Sequence, residues 1–155
     1  MKAFVFPGQG SQFPGMGYDL YKSNEKVKSL FNEADDVLGF ALSNVMFNGN
    51  EEELKQTKIT QPAIFLHSIA KLSVLQETHS PSAVAGHSLG EFSSLVANNT
   101  ISFEDGLKLV FLRSKAMQKS CESTNGIMAA ILGLDDKTIK ETCESFDGNV
   151  TAANF

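Results

Sequence analysis

The chain has 155 residues, 42% hydrophobic and 20% charged, with a formal net charge of −5. That mixture is globular and long enough to bury a core, and its scattered lysines and arginines exclude the clustered basic footprint of a nucleic-acid binder. Met1 to Phe6 is too short for a signal-peptide core before Pro7 and Gly8 break it, and no stretch reaches the roughly 20 apolar residues that span a bilayer.

Lys2 to Phe6, rich in Phe and Val, reads as a strand running into the loop Pro7-Gly8-Gln9-Gly10-Ser11-Gln12, whose glycines let backbone approach a ligand closely. Phe13 and Met16 beyond it read as core. Val27, Leu30, Phe31, Ala34, Val37 and Leu38 recur at helical spacing, with Ser23 or Asn24 as cap and Gly39 as stop. The polar stretch from Asn48 to Lys58 is loop or a short surface helix. Thr60-Gln61-Pro62 then opens a helix with proline in its first turn, running to about Gln76. Apolar residues from Ala63 to Leu75 surround nearly all of it, which predicts central burial. His67 within it reads as a satisfied core histidine, and His79 as a loop residue without an evident partner.

Ala83-Val84-Ala85 suits a buried strand, while Leu89, Phe92, Leu95 and Val96 repeat at helical spacing. Between them lies Gly86-His87-Ser88-Leu89-Gly90, a G-x-S-x-G string in the strand-to-helix context of a nucleophile elbow. Ser88 would sit on the tight turn with its hydroxyl projecting, and a Cβ at Gly86 or Gly90 would crowd the strand or the helix. The first N–H groups of the following helix lack intrahelical partners and point at charge developing near Ser88. The chemistry implied is acyl transfer; the competing reading is a glycine-flanked turn whose serine only caps a helix. His87, on the same sharp turn, should point away from Ser88 and act in packing or hydrogen bonding rather than as a base.

The elbow helix ends near Asn98-Asn99. Ser102-Phe103-Glu104-Asp105 resembles a capping box and starts another helix, with Phe103, Leu107, Val110, Phe111 and Met117 inward and Arg113 in its second half. Ser123-Thr124-Asn125-Gly126 reads as a linker and Ile127 to Leu132 as a strand. Asp135 or Asp136 caps a short helix with Ile139 and Cys143, and Val150 to Phe155 is a further extended run. Cys121 and Cys143 lack metal-type spacing and read as reduced thiols of a cytoplasmic protein. The predicted fold class is α/β, a parallel sheet flanked by helices with the elbow at the carboxyl end of a strand. The last strand-helix-strand piece is too small to bury both faces of its own sheet.

Three strings act together: Phe4-Val5-Phe6-Pro7-Gly8-Gln9-Gly10-Ser11-Gln12, Gly86-His87-Ser88-Leu89-Gly90-Glu91, and Leu112-Arg113-Ser114-Lys115-Ala116-Met117-Gln118. In that order and spacing they resemble the malonyl-CoA:acyl carrier protein transacylases of bacterial fatty-acid synthesis and the acyltransferase domains of polyketide synthases. Gly126 to Leu134 is similar to the segment where that family enters its small ferredoxin-like subdomain. The resemblance implies a large acyltransferase subdomain over residues 1–124, in its N-terminal part, and the first βαβ of the ferredoxin-like one over 125–155.

It also implies roles. Ser88 would take a malonyl group from coenzyme A as an ester and yield it to the phosphopantetheine thiol of acyl carrier protein. The backbone N–H groups of Gln9 and Leu89 would hold the oxyanion, and the Arg113 guanidinium the free carboxylate of malonate. Gly86, His87 and Gly90 would support the elbow, and Leu89 directly after the serine matches malonyl-selective members. No metal and no separate cofactor is implied, because coenzyme A and phosphopantetheine enter as parts of the substrates. The implied partners are malonyl-CoA and acyl carrier protein, with no nucleic acid and no membrane. Lys115 and Lys119, on the Arg113 helix, are candidates for a basic rim that docks the acidic carrier.

In this family the base that accepts the serine proton is a histidine well downstream, and no residue here matches it. The expectation is an N-terminal fragment that transfers malonyl groups negligibly on its own and exposes a sheet edge prone to self-association. Two other readings compete. One is a serine hydrolase of the lipase or patatin type, for which Asp147-Gly148 superficially offers an aspartate base. The other is a non-catalytic module that binds carrier protein and keeps the pocket only as scaffold.

Overall fold

The computed structural model describes residues 2–76, 78–124 and 127–153. The chain falls into two compact units, Met1–Thr124 and Asn125–Phe155. In the first, β1 (Ala3–Phe6) and β2 (Ala83–Gly86) pair in parallel, with Phe4 opposite Val84 and Phe6 opposite Gly86. A parallel pair needs a long crossover. Here it runs through α1 (Tyr18–Ser23), α2 (Glu25–Leu38), α3 (Leu42–Asn48), α4 (Glu51–Lys55) and α5 (Thr57–Leu75); α6 (Gly90–Ala97) and α7 (Phe103–Thr124) follow β2. The first unit is thus mostly helical around a small parallel sheet.

α5 is the axis of the core. Ala63 to Leu66, Ile69, Ala70 and Leu72 are buried, and the helix packs against α2, α6 and α7. A helix apolar on all sides can be stable only when neighbours cover it, which accounts for its central place. α2 presents Val27, Phe31 and Ala34 to that core from one face. Asn24 rather than Ser23 caps it, its Oδ1 accepting from the N–H groups of Lys26 at 3.0 Å and Val27 at 3.1 Å, and Gly39 ends it at φ 73°. Ser102 caps α7 as expected, with Asp105 N–H donating to Ser102 Oγ at 3.0 Å, but the box closes differently: the Asp105 carboxylate accepts from the Ser102 hydroxyl at 2.7 Å, not from its backbone N–H.

Three sequence expectations are corrected. α5 begins at Thr57, not Thr60, so Pro62 lies inside the helix. The early start is set from outside the segment, because Gln118 Oε1 on α7 accepts the Thr57 N–H at 3.1 Å. Phe13 is not core: it is 50% exposed, with one edge against the His67 ring at 5.8 Å between centroids. In the second unit, 127–132 and 150–153 form no ladder; its one described element is α8 (Asp136–Ser145), capped by Asp135. Ile127 and Leu132 are 91% and 90% exposed, so no apolar face is covered that would hold a strand in place. Asn125 and Gly126 of the expected linker, and Asn154 and Phe155 of the expected last strand, lie outside the described residues.

Candidate active site

β2 ends at Gly86 and α6 starts at Gly90, and the turn between them holds Ser88 at φ 55°, a left-handed conformation uncommon for a residue with a side chain. The turn is tight enough to require both glycines. A Cβ on Gly86 would lie 2.0 Å from the carbonyl carbon and oxygen of Gly90, and one on Gly90 would lie 2.4 Å from the Phe6 oxygen. All of those neighbours are backbone, so no side chain can move aside. Gly90 N–H donates to His87 O at 2.9 Å and Glu91 N–H to Ser88 O at 3.1 Å, which closes the turn. Ser88 is left exposed, while the Leu89 side chain is fully buried beneath it.

The Pro7–Gln12 loop reaches this turn from the end of β1. His87 N–H donates to Phe6 O at 3.0 Å, and a Cβ on Gly8 would lie 2.9 Å from His87 O and 2.6 Å from His87 Nδ1. His87 therefore stands against the Gly8 backbone. Neither the N–H of Gln9 nor that of Leu89 donates to a described residue.

Arg113, on α7, comes to the same place. Its Nη2 donates to Ser88 Oγ at 2.8 Å and its Nη1 to Gln61 Oε1 at 2.6 Å. It is not the surface arginine of a carboxylate pair, since the ion pairs among the described residues involve other cations. Gln61 was not singled out from the sequence, where Thr60-Gln61-Pro62 serves only as a helix start. Its signal was a lone amide inside an apolar run, because a fully buried side-chain amide must find partners. It is 0% exposed, and its Nε2 donates to Gln9 Oε1 at 3.3 Å and to Met117 Sδ at 3.2 Å. Ser88, Arg113, Gln61 and Gln9 thus form one connected set drawn from the elbow, α7, α5 and the glycine loop.

No histidine among the described residues hydrogen-bonds Ser88. His79 pairs with its neighbour, Thr78 Oγ1, at 2.7 Å. His67 is half-buried and lines a cavity of about 390 Å³ with Phe4, Phe6, Met16, Ile64 and Lys71. It is not the satisfied core residue expected, for its ring meets Phe13 instead of a hydrogen-bond partner. Burial, helped by the Lys71 charge, pushes its pKa down to about 4. The folded state therefore holds this ring neutral while the unfolded chain protonates near pH 6.5. That contribution to stability is complete above about pH 6.5 and is lost as pH falls toward 4, on the order of 1–2 kcal/mol after allowance for solvent at the ring. Urea midpoints at pH 7 and pH 5 should differ more in the wild-type chain than in His67→Leu; equal differences would remove His67 as the cause.

A family model described as the acyl transferase domain matches residues 3–154. The chain belongs to that acyl transferase family. The malonyl CoA-acyl carrier protein transacylase of Bacillus subtilis (strain 168) is 44% identical over 151 residues, which are 96% of this chain and 48% of that protein. Among solved structures, a malonyl transacylase from Streptococcus pneumoniae superposes with TM-score 0.83 at 41% identity, covering 93% of this chain and 47% of that one. A malonyl-transacylase solved in complex with a type II polyketide synthase acyl carrier protein gives 0.80 at 43% identity, covering 92% and 47%. The chain spans about half the length of the curated relatives it matches. Among the described residues no helix is long and apolar enough to cross a membrane, and no group of three or more His, Cys, Asp or Glu could hold a metal ion.

Proposed function

We propose that this chain carries the nucleophile and the carboxylate-binding arginine of a malonyl-CoA:acyl carrier protein transacylase of cytoplasmic fatty-acid synthesis. The observation that supports this most is the Arg113 guanidinium lying 2.8 Å from the elbow hydroxyl, a fixed cation where the acid end of a malonyl group would lie. Ser88 Oγ attacks the thioester carbonyl, the carbon–sulfur bond breaks and coenzyme A leaves as its thiol. The phosphopantetheine thiol of the carrier then attacks the malonyl ester and restores the serine. The N–H groups of Gln9 and Leu89, unengaged by described residues, hold the oxyanion in both steps, each worth about 10²–10³ in rate. Arg113 grips the distal carboxylate by two parallel bonds, so the substrate carries its own charge and no metal or separate cofactor takes part.

The serine proton needs an acceptor, which this family supplies from a downstream histidine. The chain alone is therefore expected to acylate slowly and turn over negligibly. Incubation with malonyl-CoA in excess imidazole, which stands in for the base, should place one malonyl group on the peptide containing Ser88. The label should vanish in Ser88→Ala. Equal labelling of that variant, or carrier-protein binding with no acyl-serine at all, would favour the non-catalytic module.

Residues 1–124 form the N-terminal part of the large subdomain in this reading, and 125–155 the beginning of the ferredoxin-like one. Lys115 and Lys119 are exposed on α7 and line a cavity of about 220 Å³ with Lys58. On a chain of net charge −5 they provide a local basic rim for an acidic carrier. Charge reversal at both lysines should weaken carrier binding about tenfold or more at low salt. Unchanged affinity would place docking elsewhere.

A further inference from the structure

We propose that Gln61 is a positioning residue that makes the site selective for acyl groups ending in a carboxylate, by locking the Arg113 guanidinium and the Gln9 loop to one another. The proposal rests on the reading of Ser88 and Arg113 given above. It starts from the polarity of the amide. A guanidinium only donates hydrogen bonds, so the Gln61 oxygen must face Arg113 Nη1, found at 2.6 Å. Its nitrogen then faces the other way, and Gln9 must present its oxygen to it, found at 3.3 Å. One direction of hydrogen bonding therefore runs from the cation on α7, through the N-terminal part of α5, to the loop carrying the Gln9 N–H. Met117 Sδ, at 3.2 Å, takes the amide's second hydrogen, so neither hydrogen is left to favour a flipped orientation.

Burial turns this chain into a constraint. Gln61 is 0% exposed and precedes Pro62 inside α5, so the amide cannot trade these partners for water and its backbone is held on both sides by buried neighbours. With Nη1 fixed on Gln61, the arginine has only Nη2 and its remaining edge free to turn toward a ligand, and that edge faces Ser88. A carboxylate entering beside Ser88 meets a guanidinium already oriented, without the cost of immobilising a long side chain. An acyl group without a carboxylate gains nothing from that arrangement. Gln61 thus acts through Arg113 and separates the two substrate classes, while a residue that only filled the core would affect both equally.

The test measures binding of malonyl-CoA and acetyl-CoA by calorimetry, which needs no catalytic base. The wild-type chain should prefer malonyl-CoA. Gln61→Met keeps the volume and removes both polar ends; Gln61→Glu keeps the shape, pairs its charge with Arg113 and sets an acceptor against Gln9 Oε1. Each variant should lose about tenfold of the malonyl preference, with acetyl-CoA affinity within about twofold of wild type. Loss of both affinities in proportion, or an unchanged ratio in folded variants, overturns the proposal and leaves the family reading intact. A wild-type chain with no preference overturns the reading and the proposal together. A second measurement needs no variant: the Arg113 guanidinium nitrogens should rotate slowly in the NMR spectrum of the unliganded wild-type chain, and free rotation overturns the lock.

Discussion

Gly86→Ala is expected to abolish cooperative folding of the first unit, a loss of about 4 kcal/mol or more. The added methyl would stand 2.0 Å from the Gly90 carbonyl carbon and oxygen and 2.4 Å from Glu91 N, well inside van der Waals contact on three backbone atoms. Overpacking in a core usually costs about 1–3 kcal/mol because side chains shift to relieve it. Relief here would require separating the start of α6 from the end of β2, which also breaks the Gly90–His87 and Glu91–Ser88 hydrogen bonds that close the turn. Domains of this size have about 5–15 kcal/mol in all, so little would remain. Urea unfolding followed by circular dichroism gives the answer. Gly148→Ala is the control, since a Cβ there meets nothing within 4 Å and the midpoint should hardly change. A Gly86→Ala chain with a wild-type midpoint would mean that the elbow is not built as described.

The elbow was legible because its constraints are local: glycine, serine and glycine in five residues between an apolar strand and an apolar helical stripe. The helical face of α2 was legible for the same reason, as Val27, Phe31 and Ala34 are spaced by the helix itself. α1 and α3 were not foreseen. α1 buries nothing and α3 buries only Leu42 and Met46, too few residues for a periodicity to show. The start of α5 at Thr57 depends on Gln118, 61 positions away, and no local rule reports such a partner. Gln61 was hidden in a related way: a buried glutamine has no spacing pattern, and its importance appears only once α5, α7 and the glycine loop surround it. The strands expected at 127–132 and 150–155 failed differently over their described residues, 127–132 and 150–153. Their composition suits extended structure, but a strand is stabilised by the ladder and face that receive it, and 127–132 and 150–153 have neither. The residues proposed for the chemistry were recognised by motif, whereas the contact between Arg113 and Ser88 is a consequence of tertiary packing across 25 positions.

Arg113→Ala should weaken malonyl-CoA binding about a hundredfold and leave acetyl-CoA binding nearly unchanged, and Arg113→Lys should recover only about tenfold of the loss. The size follows from what the guanidinium does in the proposed complex. Two parallel charge-assisted bonds in a half-buried site are worth about 1.5–3 kcal/mol each before the carboxylate's desolvation is subtracted. Lysine places a single strongly hydrated charge where a planar fork is needed, so it cannot make the two parallel bonds to the carboxylate. The difference between the two substrates is what identifies the interaction, since damage to the elbow or to α7 would lower both affinities together. Removing the guanidinium also frees Ser88 Oγ from its one donor among the described residues, so slow acylation of Ser88 by acetyl-CoA should not fall in Arg113→Ala and can rise. Calorimetry with both thioesters at two salt concentrations separates these effects, because the malonyl preference should shrink as salt screens the exposed side of the pair. Equal weakening of malonyl-CoA and acetyl-CoA in Arg113→Ala would show that the arginine holds the fold together and does not read the carboxylate.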